Sequence, residues 1–254
     1  MAEQTYRTIQ SAILFGLGVF LISKIASGRL IWYIHPRFIP LTILAVVVLL
    51  FVGWTVLKEG FKAKRAPATE VSQNPDDLDD EHENHPSAWR LAAVTLPLVV
   101  GVLIPAHPLT ASAIQSKGIN STVPIATASS SPLTFGQSAD TRNILEWEDL
   151  FNSGTDPTSF LGQEANVIGF VYHDPHLKTG QFMVGRFALV CCPADAFAVV
   201  MVVNWPGSAS LPTNQWVKVK GPVQSTVLNG QTLSSIQATS VELVDPPADT
   251  YLYP

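Results

Sequence analysis

The chain has 254 residues, with 15 Lys/Arg against 20 Asp/Glu and a formal net charge of −5. Apolar residues make up 47% and charged ones only 14%, which suits a membrane protein carrying a soluble part. From Ala111 onward six Lys/Arg face eleven Asp/Glu, which argues against a nucleic-acid partner, since that needs a cationic face. The only two cysteines are adjacent, so no disulfide framework is available.

Three apolar stretches crowd the first 110 residues: Ser11–Ile25, Phe38–Leu57 and Ala88–Ala106. A helix needs about 20 apolar residues to cross a bilayer core of about 30 Å. The second stretch is uncharged and meets that length. The third also meets it, with Pro97 and Pro105 tolerable where neighbours satisfy the backbone. The first is the shortest, and Lys24 near its end can snorkel to the interface. Trp32, Tyr33, Trp54 and Trp89 fall near the expected ends, as an aromatic belt does. Ala12 and Gly16 suit close helix packing.

Orientation follows from basic loop residues. Lys58, Lys62, Lys64 and Arg65, with Arg90, outnumber Lys24, Arg29 and Arg37. Placing the richer loop inside puts the N-terminus in the cytoplasm, and three crossings export the C-terminal module. Ala111-Ser112-Ala113 has the look of a cleavage site, but two preceding spans favour a plain stop in the membrane. His35-Pro36-Arg37 lies between the first two spans, where an arginine can meet lipid head groups.

Ala66–Pro86 is polar and acidic and reads as a solvated loop. Its His82 and His85 sit among carboxylates, a setting for weak capture of a divalent cation. Residues 111–139 are rich in Ser, Thr and Ala and read as a tether. The soluble module then covers residues 140–254. A helix opens it, capped by Asp140 or Thr141, with Ile144, Leu145, Trp147, Leu150 and Phe151 on one face. Strands are predicted over Ala165–Tyr172, Gln181–Val190, Phe197–Asn204 and Trp216–Val223, with a final one within Thr232–Val244. Gly169 and Gly221 inside strands mark bends that let a small sheet close. The predicted fold is therefore a membrane α-helical part with three transmembrane helices, followed by an all-β, OB-like five-stranded barrel.

Chemistry concentrates around Cys191, Cys192 and Asp195, with His173 and His176 on the preceding loop. Thiolate, imidazole and carboxylate suit zinc or a similar metal, so these five are the candidate ligands. Successive strand residues point to opposite faces, so two adjacent cysteines meet one ion only at a bulge or turn. Cysteines packed in the barrel, a metal site and a redox-active thiol pair all stay open. Arg186 and Asp195 are expected to pair across the corner between strands. No G-x-S-x-G elbow, H-E-x-x-H or P-loop is present, so no enzyme activity is expected.

Tyr33–Phe38 (YIHPRF), IPAHPLT after the third stretch, Gly169–Tyr172, Arg186–Ala196 (RFALVCCPADA), Trp216–Gly221 and the Pro246–Pro254 ending resemble the YcgQ-like family of proposed permease subunits. The resemblance is strongest from Gly169 onward. It implies a multi-span permease as partner and a link to metal supply, particularly zinc. It draws attention to Arg186, Cys191, Cys192 and Asp195 without assigning them roles.

Overall fold

The computed structural model describes residues 2–63, 88–104, 107–119, 138–153, 156–228 and 230–254. The acidic loop with His82 and His85, and most of the expected tether, lie outside these residues. The chain forms two compact units. One comprises Met1–Leu30 and Pro36–Ala106, and the other Ile31–His35 and His107–Pro254.

The first unit is helical. α1 (Ala2–Ala26) contains the stretch Thr8–Ala26, and α2 (Ile39–Ala63), with the short 3-10 turn Pro36–Phe38 before it, supplies Pro36–Lys58; both stretches are long and apolar enough to cross a membrane. α3 (Ala88–Leu103) has 16 residues. At 1.5 Å per residue it spans about 24 Å, short of a full crossing by itself. Small residues carry the contacts between these helices, as expected where packing replaces a hydrophobic drive. A Cβ on Gly16 would lie 3.3 Å from Leu98, and one on Gly18 only 2.8 Å from Leu50. Ser11 Oγ donates to the Gly53 carbonyl at 3.0 Å, a buried polar link between α1 and α2.

The second unit is built on a seven-stranded sheet: β1 (Glu164–Tyr172), β2 (Gln181–Ala188), β3 (Phe197–Asn204), β4 (Trp216–Leu228), β5 (Gln231–Gln237), β6 (Ser240–Leu243) and β7 (Tyr251–Leu252). The pairing order β1-β2-β3-β5-β4 returns to β1, because β1 and β4 also pair antiparallel. β6 adds to β4, and β7 runs parallel to the end of β2. Two strands, not one, therefore occupy the Thr232–Val244 region, and β4 runs five residues beyond Val223.

The circuit turns on two glycines. β4 pairs with β1 up to Pro222 and with β5 from Val223. At this switch Gly221 has φ +156°, and a Cβ there would sit 2.1 Å from the Gln237 carbonyl. A Cβ on Gly169 would sit 2.5 Å from the Gly185 carbonyl, where β1 passes from β4 to β2. Only glycine lets the backbones approach so closely.

Apolar clusters cover both faces of the sheet. In β3, Phe197, Val199, Met201 and Val203 join one, while Ala198, Val200 and Val202 join the other. Double burial explains the unbroken apolar run of this strand. The first cluster is capped by α5 (Ile144–Asn152), whose Ile144 and Trp147 are fully buried. The N-cap of α5 is Asn143, not Asp140 or Thr141: its side chain accepts from Glu146 N, and Glu146 accepts from Asn143 N. This capping box satisfies two orphan donors at once. The second cluster is covered by α4 (Ala111–Lys117), through Ala111 and Ile114, with Trp32 and Tyr253 packed against it. The first seven residues of the expected tether are thus a docked helix, whose small apolar side chains fit close against the sheet.

Candidate functional site

β2 ends at Ala188 and β3 begins at Phe197. Between them the chain turns tightly: Asp195 N donates to the Cys192 carbonyl at 3.1 Å, and Ala196 N to the Pro193 carbonyl at 3.4 Å. The strand has stopped before the cysteines, so alternation no longer separates them. Their sulfurs lie 3.5 Å apart. Both thiols are free, and Cys191 is exposed. Among the described residues, Cys191, Cys192 and Asp195 form a compact ligand group, their donor atoms within 4.8 Å of one another.

Asp195 also organises the turn. Its carboxylate accepts from Val190 N at 3.2 Å, Cys191 N at 2.8 Å and Cys192 N at 3.3 Å. Burial opposes its charge, but hydrogen bonds from the Cys191 thiol and these amides prevail and hold its pKa below the usual carboxylate value. The two thiols are driven apart. The Asp195 carboxylate, then the Cys192 sulfur, holds the Cys191 proton and pushes its pKa up to about 12. The Ala194 amide and the Cys191 thiol favour the Cys192 thiolate and lower its pKa. Cys192 is therefore the first to ionise and the better ligand or nucleophile near neutrality.

Three other segments of the same unit hold this turn. Lys117 Nζ, at the end of α4, donates to the Ala194 carbonyl at 3.0 Å. Leu189 N donates to the Leu252 carbonyl at 2.9 Å. His35 N donates to the Cys191 carbonyl at 2.9 Å. The His35 ring meets the edge of Tyr253, with centroids 4.6 Å apart. Burial pushes the Tyr253 phenol up to about 12, with Asp249 and Tyr251 adding to the shift.

His173 and His176 are not part of this cluster. They lie between β1 and β2, at the start of β2, whereas the cysteines follow its end. Eight strand residues at about 3.3 Å each separate the two loops. His173 Nε2 bonds the Leu211 carbonyl at 2.8 Å, and His176 Nδ1 bonds Asp174 at 2.8 Å. The expected pairing of Arg186 with Asp195 is also replaced. Arg186 Nη2 donates to the Asp249 carbonyl and, at 3.2 Å, to that of Tyr251, while Nε donates to that of Thr250 at 3.4 Å. Its guanidinium lies 5.9 Å from the Trp216 ring. Burial lowers its pKa, partly offset by Asp249. Arg186 thus fastens the 249–251 segment against β2, while Asp195 serves its own turn. Arg37 belongs to the helical unit and lies over Phe38 at 5.4 Å.

The contact of the His35 backbone with Cys191 is invisible in sequence, because 156 positions separate the two residues. The lysine at the end of α4 is equally hidden, since that helix reads as linker.

Residues 9–120 match the DUF1980 N-terminal domain and residues 142–254 the DUF1980 C-terminal domain. The chain is 23% identical to UPF0703 protein YcgQ of Bacillus subtilis (strain 168), over 95% of this chain and 97% of that protein. It is also 23% identical to a Streptococcus mutans protein titled "Putative two-component membrane permease complex subunit", over 63% of this chain and 71% of that one. A small single-stranded DNA-binding protein from Streptomyces coelicolor gives 20% identity over 33% of this chain and 94% of its own, with a TM-score of 0.22. With both domains matched in order and YcgQ aligned along nearly its whole length, the chain belongs to the YcgQ-like family.

Proposed function

We propose that this chain is the accessory subunit of a membrane permease, with no enzymatic step of its own. Its C-terminal module, an OB-like five-stranded barrel extended by β6 and β7, offers Cys191, Cys192 and Asp195 to a thiophilic cation as cargo. The observation that carries this reading is the convergence of two thiols and a carboxylate within 4.8 Å on an exposed turn. Two soft sulfurs and a hard oxygen suit a borderline divalent ion such as zinc, and fewer than four protein ligands leave a position open for exchange. The permease-subunit title of the Streptococcus mutans relative supports the partnership. The closed β1-β2-β3-β5-β4 circuit supports the barrel.

Three crossings, with the N-terminus cytoplasmic and the module outside, fit the make-up of the C-terminal unit. Ile31–His35, the link between two span-length helices, is part of it. Such a link lies on the membrane face opposite the N-terminus. The module can include it only if the chain crosses again before His107. The third apolar stretch of the sequence, which contains α3, supplies that crossing. The acidic module and the cover of α4 over one sheet face argue against a nucleic-acid partner.

Metal content tests the cargo site. The full chain, purified in detergent with reductant, should hold a stoichiometric divalent ion that Cys191→Ser/Cys192→Ser abolishes. Equal, metal-free samples would remove the cargo reading. Purification should also recover a polytopic permease, and repeated recovery of the chain alone would break the partnership. A second reading, an envelope binding or structural module without transport, is favoured by the engagement of Asp195 with three amides of its own turn. It predicts that Cys191→Ser and Cys192→Ser leave the permease's transport unchanged.

A further inference from the structure

We propose that Cys191 and Cys192 form a thiol–disulfide lock: a disulfide reagent joins them into a vicinal disulfide that closes the cation site, and reduction reopens it. The closing of a site rests on reading the pair as cation ligands; the bond itself does not.

The sulfurs lie 3.5 Å apart, a separation at which two reacting atoms are already in a near-attack arrangement. Both thiols are free. Cys191 is exposed and Cys192 half-buried, so a reagent reaches the pair from solvent. The chain has no other cysteine, so within one copy each sulfur has only the other to join. The turn after β2 brings them together, whereas in a strand the two side chains would point to opposite faces. The extracytoplasmic position proposed for the module puts the pair where disulfides form and persist.

The reaction is an exchange with a disulfide R–S–S–R. One cysteine sulfur, as its thiolate, attacks the reagent. An S–S bond to one R–S group forms, and the other R–S leaves and takes up the proton that the cysteine gave up. The second cysteine sulfur then attacks the first across 3.5 Å and expels the remaining R–S, which takes the second proton. Two cysteine thiols are oxidised to one disulfide, and R–S–S–R is reduced to two R–SH.

Adjacent residues have Cα atoms about 3.8 Å apart, less than the roughly 4.4–6.8 Å of most disulfides. Closure therefore bends the Cys191–Cys192 peptide from planarity, and the strain makes the bond easy to reduce. Asp195 accepts from Val190 N at 3.2 Å and Cys191 N at 2.8 Å, both ahead of that peptide, so the turn keeps its anchor while the bond forms. In the oxidised state both thiolates are gone. Only the Asp195 carboxylate remains, too little to keep a thiophilic ion.

The test equilibrates the full chain in detergent with reduced and oxidised glutathione in varied ratio, quenches with acid and alkylates the remaining thiols for mass spectrometry. With oxidised glutathione in excess, the wild type should take no alkyl group, carry no glutathione and stay a single chain. Cys191→Ser and Cys192→Ser should each stop at one glutathione adduct. Excess reduced glutathione should restore both thiols of the wild type. Its zinc binding should be lost on oxidation and return on reduction. Wild type left with free thiols, stalled as a glutathione adduct or linked chain to chain would overturn the lock. So would a bond that reduced glutathione fails to open, or oxidised protein that holds zinc as tightly as reduced protein. If reduced protein binds zinc while the bond never forms, the lock fails and the cation reading stands. If the bond forms reversibly but reduced protein binds no zinc, the cation reading fails and the pair stands as a redox site alone.

Discussion

The helices α1 and α2 and the strand β3 are made of the same residues and do opposite things with them. In α2, Leu44, Val47 and Phe51 are 58–65% exposed. In β3, the residues from Phe197 to Val203 are all buried, none more than 6% exposed. A helix satisfies its own backbone, so its apolar side chains can face hydrocarbon. A strand must find neighbours for its amides, and β3 finds β2 on one side and β5 on the other. Apolar content alone therefore does not tell a membrane segment from a core strand. Length does: 23 residues in Pro36–Lys58 against eight in β3.

The contrast breaks most severely at the bends that close the sheet. Gly221→Val puts a branched side chain onto the Gln237 carbonyl and should cost at least about 4 kcal/mol, abolishing cooperative unfolding of the module in urea. A transition within about 1 kcal/mol of wild type would show that the bend tolerates a Cβ. Next comes the core itself. Met201→Ala, at a fully buried site, should cost about 3 kcal/mol. Phe51→Ala, on an exposed helix face, should leave the same transition unmoved. Equal losses from both would erase the distinction between the two regions.

Glu148 sharpens the comparison from the polar side, since it is a carboxyl inside the module. Burial pushes its pKa up to about 7, a shift that its bond from Ser234 only partly offsets. The folded state thus binds its proton more tightly than the unfolded state does. The stability this confers is complete below about pH 4.5 and disappears as pH rises through about 7. Wild type should lose up to about 3 kcal/mol over that window relative to Glu148→Gln, whose unfolding free energy should not share the slope. Parallel pH profiles would mean that the carboxyl is ionised in place.

The smallest expected effect is at the turn. Asp195→Ala removes an acceptor for three amides and should cost about 1 kcal/mol. The Cys191 thiol pKa should fall from about 12 toward its ordinary value, so that the alkylation rate of a Cys192→Ser background rises at lower pH. An unchanged alkylation profile would remove Asp195 as the group that holds the Cys191 proton.

Legibility followed the range of the interactions. β3 matches its predicted bounds, because seven successive apolar residues between turn signals leave little choice. Gly169 and Gly221 are recognisable as bends, since a glycine inside a strand rarely has another reason. The β4–β5 hairpin is also written locally, in Leu228-Asn229-Gly230-Gln231, with Gly230 at φ +81°. Asn-Gly between strand-like runs is the strongest short-range hairpin signal, and a single strand over Thr232–Val244 overlooks it. The candidate site divides the same way. The Cys191–Asp195 group is local and visible. The removal of His173 and His176 depends on which end of β2 each loop occupies. Arg186 exchanges Asp195 for three carbonyls supplied from far downstream, a choice no local pattern records.

That last exchange bears on how the molecule is made. The edge of β2 beyond Gly185 is completed by Tyr251–Leu252, and Arg186 waits for a carbonyl 63 residues downstream. At about 5–20 residues per second, a ribosome needs roughly 3–13 s to supply that segment. During this interval an unpaired strand edge and a half-desolvated guanidinium stand open to the wrong partner. For a module delivered vectorially, assembly would therefore be limited by emergence of the 249–252 segment, and interruptions downstream of β6 would be felt at β2.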